Sequence, residues 1–88
     1  MLEAIYKQDF LKGVKKTKKR GKDIEKLITI IELLLENKPL PAKNRNHKLQ
    51  GNYKGFWECH IEPDWLLIYE KTETYITFAH TGTHADLF

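Results

Sequence analysis

The chain has 88 residues, one cysteine and a formal net charge of +3, which leaves room for one hydrophobic core and predicts a single domain over residues 1–88. A lone cysteine excludes an internal disulfide framework and favours a reducing compartment. The longest apolar stretch, Ile24 to Leu35, is interrupted by Glu25, Lys26 and Glu32 and is too short to span a bilayer; with no apolar leader at the N-terminus, a cytoplasmic protein is expected.

The charge is unevenly spread. Residues 1–50 carry thirteen Lys and Arg against six acids, a balance of +7, while residues 51–88 carry two against six, a balance of −4, and all four histidines lie from residue 47 onward. The basic half reads as a docking surface for a polyanion, the histidine-rich half as a place where protons move.

In chain order, LEAIY (residues 2–6) is a short first strand. Phe10, Leu11 and Val14 recur at helical spacing among lysines and predict an amphipathic helix from Lys7 to Arg20, ended by Gly21. Asp23 is an N-cap for a second helix to about Asn37, with Ile24, Leu27, Ile28, Ile31, Leu34 and Leu35 as its buried stripe. The short link predicts an antiparallel helical hairpin. Residues 37–52, with Pro39, Pro41 and Gly51, form a long loop. Three strands follow, at 55–62, 65–71 and 75–81, turning at Pro63-Asp64 and at Thr72–Thr74. The expected fold is α+β: the N-terminal helical hairpin packed on an antiparallel β-sheet. Alternation assigns Trp57, Cys59, Ile61, Leu66, Ile68, Ile76 and Phe78 to the helix side. It leaves Phe56, Glu58, His60, Trp65, Leu67 and Tyr69 on an open face.

The chemistry-bearing residues gather around that open face. His60 ends one strand four residues before Asp64, His84 follows Gly82 in a tail free to bend back, and His47 lies in the long loop leading to the same sheet. Imidazoles beside a carboxylate suit RNA cleavage by its own 2′-hydroxyl, in which one proton leaves the 2′-oxygen and another reaches the 5′-oxygen. His80 falls on the helix side by alternation but sits near a strand end, where alternation often fails. His80-x-x-x-His84 and His60-x-x-x-Asp64 contain ligand-type residues, yet with no paired cysteines and no His-Glu-x-x-His helix the expectation is no metal and no cofactor. Cys59 reads as packing. Lys15, Lys16, Lys18, Lys19 and Arg20 form a basic run suited to ribosomal RNA phosphates, and Trp65 and Phe88 offer stacking surfaces to bases. A non-catalytic RNA- or partner-binding module built on the same basic helices is the alternative of another class.

The string HKLQGNYKGFWECHIEPDWLLIY followed by TGTHADLF resembles the YafQ branch of the RelE toxin superfamily, toxins of bacterial type II toxin–antitoxin systems. The likeness runs through most of the chain and is most specific from residue 47 onward. It implies a RelE-like microbial-ribonuclease fold and a metal-independent endoribonuclease that cuts mRNA on the ribosome. It also implies a cognate antitoxin as partner. The family's catalytic positions fall on His47, His60, Asp64 and His84, with Trp65 and Phe88 beside the substrate. Relatives often carry arginine where this chain has His80, so the phosphate clamp expected there is weaker and pH-dependent.

Overall fold

The computed structural model describes all 88 residues. The strands are β1 (Glu3–Tyr6), β2 (His47–Lys48), β3 (Trp57–Glu62), β4 (Trp65–Lys71) and β5 (Tyr75–Gly82); the helices are α1 (Gln8–Lys19), α2 (Ile24–Leu35) and α3 (His84–Leu87). They build one five-stranded sheet in the order β1-β5-β4-β3-β2. The expected meander β3-β4-β5 is present, but the sheet is mixed: β1 joins β5 in parallel at one edge, and β2 pairs antiparallel with β3 at the other. A parallel pair requires a long crossover, which the intervening helices and strands supply. No helix is long and apolar enough to cross a membrane.

Local signals explain the helix boundaries. Asp23 caps α2, its side chain accepting a hydrogen bond from the Glu25 N–H at 3.1 Å. The buried face of α2 is Leu27, Ile30, Ile31 and Leu34, whereas Ile28, expected in that stripe, is exposed. Helix α1 lies against β5 at Gly13, where an added Cβ would meet the Thr81 carbonyl oxygen at 2.2 Å. Only glycine permits so close an approach.

The core on the helix side contains Phe10, the α2 stripe, Cys59, Trp65, Leu67, Tyr69, Ile76 and Phe78. This corrects the expected faces: Trp65, Leu67 and Tyr69 look toward the helices, and Leu66 and Ile68 look away. Cys59 pairs with Leu67 and Trp57 with Tyr69, and residues directly opposite share a face. A register shift between His60 and Glu62, and another at Ile68/Tyr69 opposite His80/Phe78, insert single residues into the ladders. A one-residue slip moves every later side chain to the other face. Nor is the second face left open, because Leu66 and Ile68 are both fully buried. The 51–56 segment and the C-terminal tail return over it, with Tyr53 packing edge-on against Phe56, His80 and Phe88.

Candidate active site

The three expected catalytic histidines, His47, His60 and His84, converge on the face away from α1 and α2. His47 on β2 sits opposite Glu58 on β3, and the His47 and His60 rings lie 6.2 Å apart. His84 opens α3, and its ring lies 5.9 Å from that of His60. Short connections hold each one. The His47 Nδ1 lies 2.7 Å from the Arg45 carbonyl oxygen and the His60 Nδ1 3.3 Å from the Pro63 carbonyl oxygen. A carbonyl only accepts, so these contacts place the N–H on Nδ1 in both rings.

Each Nε2 is thereby turned toward the carboxylate of Glu58, at 3.5 Å for His47 and 3.4 Å for His60. A neutral ring presents a lone pair there and becomes a donor to Glu58 once protonated. Glu58 is only 6% exposed, so the cluster is a buried carboxylate between two proton-accepting rings. Sequence reasoning placed Glu58 on this face without assigning it a role. The available signal was its position two residues before His60, since i and i+2 share a strand face.

Asp64 pairs with His84 and not with His60, the partner expected from spacing. Its Oδ1 accepts from the His84 backbone N–H at 2.9 Å and faces the His84 Nδ1 at 2.6 Å. These bonds, the backbone one foremost, hold the Asp64 carboxyl below its ordinary value. The other turn carboxylate, Glu62, points elsewhere and binds Lys22 and Lys26 at 2.8 and 2.9 Å.

The tail is fastened by a capping box: the Asp86 N–H donates to the Thr83 side chain and the Thr83 N–H to the Asp86 carboxylate. Asp86 also takes a bidentate bond from Arg20 at 2.6 and 3.0 Å and one from Lys16 at 3.1 Å. The Arg20 guanidinium in particular drives the Asp86 carboxyl far below its usual range. The basic run expected to dock RNA is therefore divided. Lys16 and Arg20 brace the tail, while Lys15, Lys18 and Lys19 pair with no carboxylate.

The structure contradicts the stacking role expected of Trp65. The ring is 1% exposed and packed in the core. Its Nε1–H donates to the Thr81 hydroxyl at 3.0 Å, and that hydroxyl donates to the Leu66 carbonyl at 2.7 Å. Phe88, in contrast, is 63% exposed beside Tyr53. His80 is turned by the β5 bulge onto the histidine face, opposite Ile68, where it meets Tyr53 and none of the other imidazoles. Burial pushes the Cys59 thiol up to about 12, which leaves it inert.

His47, Glu58 and His60 also form the one group whose ligand atoms, all within 4.8 Å of one another, suit a metal ion. Two imidazoles and a carboxylate are donors that zinc or copper accepts. A lone pair that binds an ion is not available to a proton, so metal binding and proton transfer are mutually exclusive uses of this trio.

Residues 2–88 match the family described as "Bacterial toxin of type II toxin-antitoxin system, YafQ". The chain belongs to the YafQ toxin family. It is 48% identical over 84 residues to the mRNA interferase toxin YafQ of Escherichia coli K12, covering 94% of this chain and 91% of that protein. Its structure superposes on the toxin of the E. coli DinJ-YafQ toxin-antitoxin complex with a TM-score of 0.92 at 45% identity, covering 99% of this chain and 97% of that one. A copper-bound L66S mutant toxin from Helicobacter pylori gives a TM-score of 0.95 at 34% identity, with both chains covered completely.

Proposed function

We propose that this YafQ-family toxin is an endoribonuclease that cuts mRNA by attack of the RNA 2′-hydroxyl on the adjacent phosphate. The observation that carries the reading is the convergence of His47 and His60, which share the Glu58 carboxylate, and of His84, paired with Asp64, around one small area of surface. Membership of a family whose E. coli member is named an mRNA interferase supports it.

The residues divide the work as follows. The His47–Glu58–His60 cluster takes the 2′-hydroxyl proton, because its Nε2 lone pairs are held by Nδ1 contacts to carbonyls. His84 gives a proton to the departing 5′-oxygen. Its Nδ1 is engaged by Asp64, so Nε2 is the atom that donates. Asp64 is a positioning residue: it holds both the backbone and the ring of His84. Protonated imidazoles supply the positive charge that the phosphorane-like transition state needs. Exposed Phe88 is the stacking surface, and Lys15, Lys18 and Lys19 contact ribosomal RNA, which makes cleavage ribosome-dependent. By analogy with the E. coli DinJ-YafQ complex, an antitoxin is the protein partner.

Primer extension on a translated message, with and without ribosomes, tests this directly. Wild type should give discrete cuts that need ribosomes, and His84→Ala and Glu58→Gln should each slow them at least about tenfold, or about 1.4 kcal/mol of barrier. Undiminished cutting by both folded variants would remove the mechanism. If RNA binding and cellular toxicity survive all histidine substitutions, the non-catalytic module is the right reading.

A further inference from the structure

A groove of about 530 Å³ runs between α2, the 41–45 turn and the β3–β4 hairpin. It exists because β2 is only two residues long. Lys48 and His47 pair with Trp57 and Glu58, and the edge of β3 beyond them has no strand beside it. In place of a strand, the Asn44 side-chain amide donates to the His60 carbonyl at 2.7 Å. Asn44 is 3% exposed, and its Oδ1 is buried without any hydrogen-bond partner.

The lining is suited to a nucleotide. Ile30, Leu33 and Ile61 give apolar contact. Lys43 and Arg45 are exposed and pair with no carboxylate, while Lys26, the third cation, is held by Glu62. The groove adjoins the histidine cluster across the open edge of β3: His60, whose ring faces Glu58 and His84, contributes to the lining, and Arg45 lines the groove while its carbonyl accepts the bond from His47 Nδ1. An RNA with its reacting phosphate at the cluster therefore has a neighbouring residue within reach of an apolar wall and two free cations.

We propose that this groove is a nucleotide subsite, holding the base of an RNA residue that flanks the scissile bond while Lys43 and Arg45 take its phosphate. The proposal rests on the endoribonuclease reading above. The free cations and the junction with His60 favour RNA over a peptide as occupant. Phosphate contacts fix register and apolar contact holds the base, so the groove contributes to substrate binding and to which position is cut.

Two exposed positions test it without touching the histidines. Lys43→Glu reverses a free charge, and Thr29→Trp fills the groove from α2. On a translated message each should raise the KM for cleavage at least about fivefold while leaving kcat within about twofold, and Lys43→Glu should flatten the salt dependence. Thr29→Trp should also redistribute the cut positions. If wild type cuts and both variants match its KM and its cut positions, the subsite is overturned and the endoribonuclease reading survives. If wild type cuts nothing, it is that underlying reading which falls. Unchanged cleavage by both variants together with lost neutralisation by a co-expressed antitoxin would instead assign the groove to a protein segment and overturn the RNA subsite.

Discussion

A single oxygen of Asp64 accepts both the backbone N–H and the ring Nδ1 side of His84, at 2.9 and 2.6 Å, joining the β3–β4 turn to the C-terminal tail. This contact is the ring's one hydrogen bond, and it leaves Nε2 without a partner on a half-exposed side chain. Both partners are well exposed, so its consequence is for orientation more than for stability.

Replacing Asp64 with Asn should therefore lower cleavage at least about tenfold while leaving the melting temperature within a few degrees. In a carboxyl-resolved NMR titration of the wild type, Asp64 should lose its charge at a pH below the ordinary aspartate value, because the His84 bonds favour the charged form. In a His84→Ala variant that midpoint should move up, although the bond from the backbone N–H at residue 84 keeps part of the shift. A midpoint unchanged by the substitution would mean that the ring does not engage Asp64 in solution.

The tail has its own latch. Asp86 carries the charge that binds Arg20 and Lys16 and closes the Thr83 capping box. Its carboxyl is depressed in the folded state, so its stabilising contribution is complete above the usual aspartate range and is lost as pH falls toward the depressed value. Asp86→Asn should free the tail at neutral pH. Amide exchange at residues 84–88 should rise by about tenfold or more, and cleavage should fall with it. Protection as strong as in wild type would show that other contacts hold α3.

Gly13 lies within an α-helix, where alanine is ordinarily favoured by about 1 kcal/mol. Here Gly13→Ala should nonetheless destabilise, by about 1–3 kcal/mol, because its Cβ would strike the Thr81 backbone oxygen and push α1 off β5. Urea denaturation measures this, and a stabilised variant would contradict the packing.

Trp65→Phe separates core from substrate contact. Loss of the indole N–H unpairs the Thr81 hydroxyl as an acceptor and removes buried ring volume, at a cost of about 1–3 kcal/mol in stability. At a temperature where the variant is fully folded, cleavage should stay within about threefold of wild type. A larger loss in the folded variant would return Trp65 to the substrate site.

The trio His47, Glu58 and His60 cannot hold a metal and accept a proton with the same lone pairs. Excess chelator should leave cleavage unchanged, and zinc or copper should inhibit it in proportion to occupancy. Loss of activity in chelator, restored by metal, would reverse this assignment.

Much of this was legible in the linear chain. The helix cap at Asp23, the turn at Pro63-Asp64 and the three hairpin strands are set by local chemistry, and each lies where its residues place it. The motif from His47 to Phe88 identifies the family, and Cys59 is buried as its apolar neighbours require. The faces of the sheet were decided only in three dimensions. Side chains on a strand alternate with a period of two, so the bulge between His60 and Glu62 was enough to put Trp65 on the helix side and Leu66 and Ile68 on the opposite, equally covered face. The pairing of carboxylates with histidines was equally invisible. Glu58 reaches His47 only because β2 lies beside β3, and Asp64 finds His84 only when the tail folds back across twenty residues of sequence. Local composition specifies which segments form and which reactive groups they carry. Long-range register and chain return specify which of those groups meet.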